Sequence, residues 1–200
     1  MERQLIISVG REFGSGGHVI AEELARRFEL PLYDSNLLEN VALEKNVAHE
    51  GLQKYDEKPK VKLFYRTVRG HSNSPHEHVA NMQFDFLKRE ADAGKSFVIV
   101  GRCAETVLKG NAGLISIFVL GDKMAKRARI MEKYGITEDE ARRMMEKEDL
   151  KRKSYHNSHC KGKWGDSRNY DLSINSSRLG IDKTIDMVEY YIRTRIEHEA

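Results

Sequence analysis

The sequence predicts an α/β fold, a doubly wound five-stranded parallel sheet with helices on both faces. Five short apolar runs, residues 5–9, 32–33, 97–100, 114–120 and 172–174, recur with helix-patterned stretches between them. Their hydrophobicity is continuous rather than alternating, which marks strands buried on both sides. Strand and helix in alternation imply parallel strands joined by right-handed crossovers. At 200 residues the chain is long enough to cover a central sheet on both faces and still carry small insertions.

The first run opens on Leu5-Ile-Ile-Ser-Val9 and is followed by Gly10-Arg-Glu-Phe-Gly-Ser-Gly-Gly-His18, then by Val19-Ile-Ala-Glu-Glu-Leu-Ala25. An apolar β-branched run, a glycine-dense turn and an amphipathic run make strand, loop and helix, with Ile20, Leu24 and Phe28 four apart on the core face. Such a loop leaves backbone N–H groups uncovered and aims them, with the positive end of the helix dipole, at one point where phosphate can sit. Gly14, Ser15, Gly16, Gly17 and His18 are therefore the expected phosphate-binding residues. The usual side-chain signature, G-x-x-x-x-G-K-[ST], is not kept. With its second glycine on Gly16, Gly17 stands at the lysine, His18 at the Ser/Thr and Arg11 at the first glycine. Arg11 is the cation within the loop itself and the candidate for part of the missing lysine's role. His18 is either a phosphate donor or an ordinary first-turn helix residue.

The second run ends at Asp34-Ser35, which either face an acceptor at the ligand end of the sheet or cap the next helix ahead of Leu37-Leu38. Residues 46–76 are polar and irregular and read as an insertion on the acceptor side. The third run ends in Val100-Gly101-Arg102, with an arginine at a strand's carboxyl end after glycine. The helix after the fourth run carries Arg127 and Arg129. Residues 137–170 are strongly basic, first helical and then loop-like around Gly162 and Gly165, and read as a second insertion of the kind that closes as a lid. Between Arg142 and Arg168 basic residues outnumber acidic ones by five, which is either a solvated helix face or a phosphate-facing one. Arg102, Arg127, Arg129 and Arg152 are the arginines placed to fork onto phosphate oxygens, and Lys151 and Lys153 would act as point charges. The last run is followed by Ile181, Ile185, Val188, Ile192 and Ile196, a core face. Asp171 is a turn residue or the start of the last strand.

Composition excludes other classes. The chain is 40% hydrophobic and 32% charged, has no apolar stretch near the roughly 20 residues that cross a bilayer, and begins directly on a strand rather than on a signal peptide, so the expectation is a cytoplasmic protein. A net charge of +3 does not by itself argue for nucleic acid, and the basic insertion lacks the interleaved aromatics that single-strand binding favours. RNA binding is the last-ranked reading. Cys103 and Cys160 lie far apart and form no ligand or redox pair by spacing, so reduced thiols are expected. His156-x-x-His159-Cys160 offers metal-type donors, but a zinc site wants four ligands and no second cluster has matching spacing, so these residues read as the tip of the lid, with Trp164 packing down or stacking.

In order and spacing, Phe-Gly-Ser-Gly-Gly (13–17), Tyr33-Asp34-Ser35, Val100-Gly101-Arg102, Arg127-Ala-Arg129, Asp149-x-x-Arg152-x-x-Tyr155 and Tyr170-Asp-Leu-Ser-Ile-Asn175 resemble the nucleoside monophosphate kinases, most closely the cytidylate kinase-like family of P-loop proteins. The resemblance covers nearly the whole chain, as one kinase-like domain over residues 1–200. It implies a P-loop three-layer sandwich that moves the terminal phosphoryl of ATP to a nucleoside monophosphate or similar small acceptor. Magnesium would be held through nucleotide and water rather than by a protein metal site. Arg152, Arg127 and Arg11 would be catalytic, Asp34, Ser35 and Arg102 acceptor-binding, and Arg129, Lys151, Lys153 and Tyr155 lid residues. The sequence departs from the family pattern at the loop lysine, at the carboxylates flanking the Gly-Arg pair and at an arginine after the Asp-Ser pair, where it has Gly17, Val100, Cys103 and Asn40. Those departures support the alternative of a nucleotide-binding or sensing module with little or no transfer. Acceptor identity and oligomeric state stay open.

Overall fold

The computed structural model describes residues 3–34, 37, 67–68, 71–72 and 75–198. Most of the expected acceptor-side insertion, together with Ser35 and Asn40, lies outside them. Five parallel strands form the sheet: β1 (Ile6–Arg11), β2 (Leu32–Tyr33), β5 (Phe97–Val100), β6 (Leu114–Leu120) and β7 (Leu172–Asn175), in the spatial order β2-β5-β1-β6-β7. β3 (Thr67–Val68) and β4 (His71–Ser72) make a separate antiparallel pair. This short hairpin falls within residues 46–76, where no strand is expected from sequence because two-residue strands carry no period.

The helices are α1 (Gly17–Arg27), α2 (Pro75–Asp92), α3 (Ala104–Val107), α4 (Lys123–Tyr134), α5 (Glu138–His159) and α6 (Ser176–His198), the last kinked at Gly180. One core lies between the sheet and α1 and α6, where Ile20, Leu24, Ile185, Val188 and Ile192 pack on Ile7, Val9, Ile117 and Val119. The other lies beneath α2 and α3, where Leu87, Phe86 and Leu108 cover Ile6, Phe97 and Ile99. Burial of β1, β5 and β6 on both faces is the cause of their continuous apolar sequences.

β1 runs two residues past the expected end, because Gly10 pairs with Phe118 and Arg11 with Val119. Ladder pairing continues after the apolar pattern stops, and it delivers Arg11 to the carboxyl edge of the sheet. A Cβ on Gly10 would stand 2.9 Å from the Phe118 ring, so only glycine fits at that crossing. α5 starts on a capping box: Thr137 Oγ1 accepts from Glu140 N and Glu140 Oε2 accepts from Thr137 N, which fixes where the basic segment becomes helical.

Candidate active site

The glycine-rich loop joins the end of β1 to the start of α1. Gly14 (φ 78°) and Gly16 (φ 82°) are left-handed, and Gly16 is the N-cap of a helix with no side-chain cap. The first N–H groups of α1 have no acceptor within the helix, and an anion is their natural partner. Ser15 is fully buried, and its hydroxyl donates to the Glu12 carbonyl at 2.8 Å. Ser176 donates to the Ser15 carbonyl at 2.6 Å, which ties the loop to the β7–α6 junction. The Ser15 side chain therefore holds the turn from inside.

A Cβ on Gly17 would lie 2.5 Å from Cβ of Arg11. The stem of Arg11 thus fills the space from which a side chain at position 17 would start. The cation at the head of the loop and the glycine at the lysine position are two sides of one packing arrangement.

The loop opens onto a cavity of about 320 Å³ at the carboxyl edge of the sheet. Its wall includes Arg11, Gly14, Gly16, Gly17, His18, Asp34, Arg129 and Arg152, so most of the residues expected at the phosphates converge there. Lys133 and Tyr134, neither anticipated from sequence, also line it, as do Glu12 and Phe13. The Tyr134 ring stacks with Phe13, centroids 6.3 Å apart. His18 is held between Glu22 (3.1 Å) and Asp34 (3.2 Å), which places an imidazole and a carboxylate together at the mouth. Arg129 donates to the Gly14 carbonyl and so braces the loop from α4. Arg152 lies over the Phe13 ring at 5.4 Å and reaches the Arg11 carbonyl at 3.4 Å.

Other expected residues lie elsewhere. Arg127 pairs with Glu138 at 2.9 Å and is not part of the cavity wall. Lys151 pairs with Glu148 at 2.6 Å and Lys153 is exposed. Arg102 is buried, in a second, narrow cleft that it shares with Arg11, Arg152, Tyr155 and His156. Asp171 accepts from the Ser116 N–H and hydroxyl, both at 2.7 Å, at the amino end of β7. It is the turn residue, far from the edge where the cavity opens.

A buried charge network under the loop was not legible in the sequence. Asp149 Oδ1 accepts from the Phe13 N–H at 2.6 Å, so the ion pair with Arg152 that the three-residue spacing allows is not the contact made. Lys126 Nζ sits between Glu12 (2.9 Å) and Asp149 (3.3 Å), its side chain only 5% exposed, and Glu12 also accepts from the Gly121 N–H. Burial pushes the Asp149 carboxyl above its ordinary value, against the Phe13 N–H and Lys126. The available signal was helical: Lys126 shares a face with the core residue Ile130, four positions on, which points it inward and Arg127 outward. Lys126→Met leaves two carboxylates facing each other beneath the loop, and a loss of about 3 kcal/mol in unfolding free energy is expected. Adding Asp149→Asn should return part of that loss in denaturant melts.

The two cysteines that spacing kept apart are brought together. Cys103, His156 and Cys160 present their donor atoms within 4.8 Å of one another. His156 Nε2 lies 2.7 Å from the Glu105 carboxylate, both side chains buried. The Cys103 thiol, with His156 and Thr106 and against burial, holds Cys160 well below the ordinary thiol range. Burial opposes a charge on His156, but its bonds to Cys160 and Glu105 raise it. Trp164 packs edge-to-face on Phe118 at 5.5 Å, and His159 stands against Phe84 and Tyr155 rather than in the cluster.

A parallel sheet in this order, with a glycine nest between its central strand and the following helix and a basic cavity above it, defines a phosphate-loop kinase fold. The chain belongs to the cytidylate kinase-like family, whose model matches residues 6–178. The crystal structure of an uncharacterized protein from Eubacterium ventriosum ATCC 27560 is 40% identical, with a TM-score of 0.76 over 95% of this chain and 99% of that one. Shikimate kinase from Bacteroides thetaiotaomicron (12% identity, TM-score 0.54, 94% and 98% of the two chains) and a gluconokinase from Sinorhizobium meliloti 1021 (12%, 0.54, 98% and 97%) share the fold. No curated protein matches the sequence. No helix among the described residues is long and apolar enough to cross a membrane.

Proposed function

We propose that the protein transfers the terminal phosphoryl group of ATP to a nucleoside monophosphate or a similar small phosphorylated acceptor. The observation that carries this reading is the left-handed glycine loop at the head of α1, opening on a cavity walled by Arg11, Arg129, Lys133 and Arg152. Phosphoryl transfer needs charge neutralisation and alignment more than a protein nucleophile, and this wall offers both. Asp34, Arg102 and Ser35 are assigned to the acceptor side, and residues 137–170 to the lid, with Arg152 and Tyr155 on its inner face and Arg129 reaching the loop from α4.

The site fits a magnesium ion carried mainly by phosphate oxygens and water. Of the two carboxylates on the cavity wall, Glu12 is committed to Lys126 and the Gly121 N–H and Asp34 stands 3.2 Å from His18, so phosphate oxygens and water would supply the ion's ligands. Such an ion would neutralise charge on the triphosphate.

A sensing module is the second reading. It is favoured by Gly17 at the lysine position and by Lys126, whose ammonium is spent on Glu12 and Asp149. Incubation of the full chain with terminally labelled ATP and a panel of nucleoside monophosphates decides between them. Label transferred to at least one acceptor, and lost in Arg152→Ala, is the expected outcome. Tight ATP binding with no transfer to any acceptor would replace the kinase by the sensor.

A further inference from the structure

The cluster at the far end of α5 has no part in phosphate binding as described above. Its residues come from two separate places. His156 and Cys160 are four apart on the last turn of α5 and its C-cap, and Cys103 sits on the turn that follows β5, held left-handed at φ 56°. Two thiols and an imidazole within 4.8 Å of one another are soft and borderline donors, the set that selects zinc-class ions over magnesium or calcium. A tetrahedral ion with arms of about 2.3 Å to sulfur needs its donors slightly under about 4 Å apart, so the cluster is close to closure.

Two further features suit a metal. His156 directs Nε2 at Glu105, 2.7 Å away with both side chains about 5% exposed or less, so Nδ1, which makes only a long 3.4 Å contact with the Asn157 side-chain oxygen, would be the ligating nitrogen. A carboxylate behind the imidazole fixes ring orientation and tautomer, as outer-shell partners of metal-bound histidines do. Alongside runs the narrow cleft lined by Cys103, Glu105, His156 and Arg102, with about 20 Å³ of open space. That is room for one water, the fourth ligand of a three-residue site.

We infer that Cys103, Cys160 and His156 form a binding site for a zinc-class divalent cation, with Glu105 positioning the histidine and water completing the tetrahedron. Two thiolates balance the ion's charge, and the carboxylate of Glu105 faces a cleft that also holds the buried Arg102. Binding would pin the end of α5 to the turn after β5. Arg152 lies four residues before His156 on the same helix face, so the ion would also fix the helix that carries Arg152 over the loop.

Cobalt(II) titration of the untagged, reduced, metal-depleted full chain tests the site without any activity measurement. Expected are the visible bands of tetrahedral cobalt together with thiolate-to-cobalt charge transfer, displaced by zinc. Zinc should also protect both thiols from an alkylating reagent and raise the melting temperature. Cys103→Ser and Cys160→Ser should each weaken the charge-transfer band and the affinity, and Glu105→Gln should keep the bands but bind about tenfold or more weakly. The absence of a tetrahedral spectrum, or a spectrum unchanged in both serine variants, would overturn the inference. So would thiols equally reactive with and without zinc in the wild-type chain, a reading that does not depend on how the variants fold. A Cys103–Cys160 disulfide that forms in air despite prior zinc loading would overturn it in favour of a redox pair.

Discussion

A Gly16→Val protein is expected to lose ATP binding by at least about a hundredfold while keeping its helical content. Gly16 is left-handed at φ 82°, a conformation that a β-branched residue does not adopt without strain. A Cβ there would come within 2.2 Å of Ile181 Cδ1, so the loop must move even if that side chain turns away. Moving the N-cap of α1 takes the N–H groups out of register with the phosphates. Each charge-assisted bond contributes about 1.5–3 kcal/mol, so losing two accounts for the stated factor. The core beneath is made by Ile20, Leu24 and their sheet partners, which the substitution does not touch. Calorimetric titration beside far-ultraviolet circular dichroism checks both halves, and ATP bound as tightly as by the parent would mean that the loop is not the phosphate site.

Arg152→Ala should lower turnover by about a hundredfold or more with little change in ATP affinity. The guanidinium is held near the loop by the Phe13 ring and the Arg11 carbonyl and lies on the cavity wall, and the proposal has it meet the charge that develops during transfer. An interaction made only in the transition state appears in kcat and spares ground-state binding. If Arg152 were one half of an exposed pair with Asp149, its removal would cost a few tenths of a kcal/mol and leave the rate alone. Asp149 instead accepts from Phe13 N–H and faces Lys126, which removes that bland reading. Equal rates for variant and parent would take Arg152 out of the mechanism.

Strands were legible because their burial on both faces writes itself into sequence as continuous hydrophobicity, and the loop because its glycines adopt angles that other residues avoid. Gly14 and Gly16 lie in left-handed conformations at the head of α1. Side-chain destinations were less legible, since they depend on helix phase and tertiary partners. Arg127 and Arg129 are two apart and so point differently, one to Glu138 and the other to the Gly14 carbonyl. Lys126 carries no motif, and its helical phase with Ile130 turns it inward without telling which carboxylates it meets. Cys103 and Cys160 are 57 positions apart and meet because α5 returns over the turn after β5, a contact that no spacing rule contains.

The account turns on Arg11 standing in for the loop lysine, and ATP and AMP titrated into wild-type and Arg11→Ala chains test that most directly. The stem of Arg11 covers Gly17 and the residue lines the cavity, and the proposal gives its charge to the outer phosphates. A loss of about 1–3 kcal/mol in ATP affinity is expected, with a clearly smaller loss for AMP, which has no outer phosphates to lose. Equal ATP affinity in the two proteins, or equal losses for ATP and AMP, would contradict it.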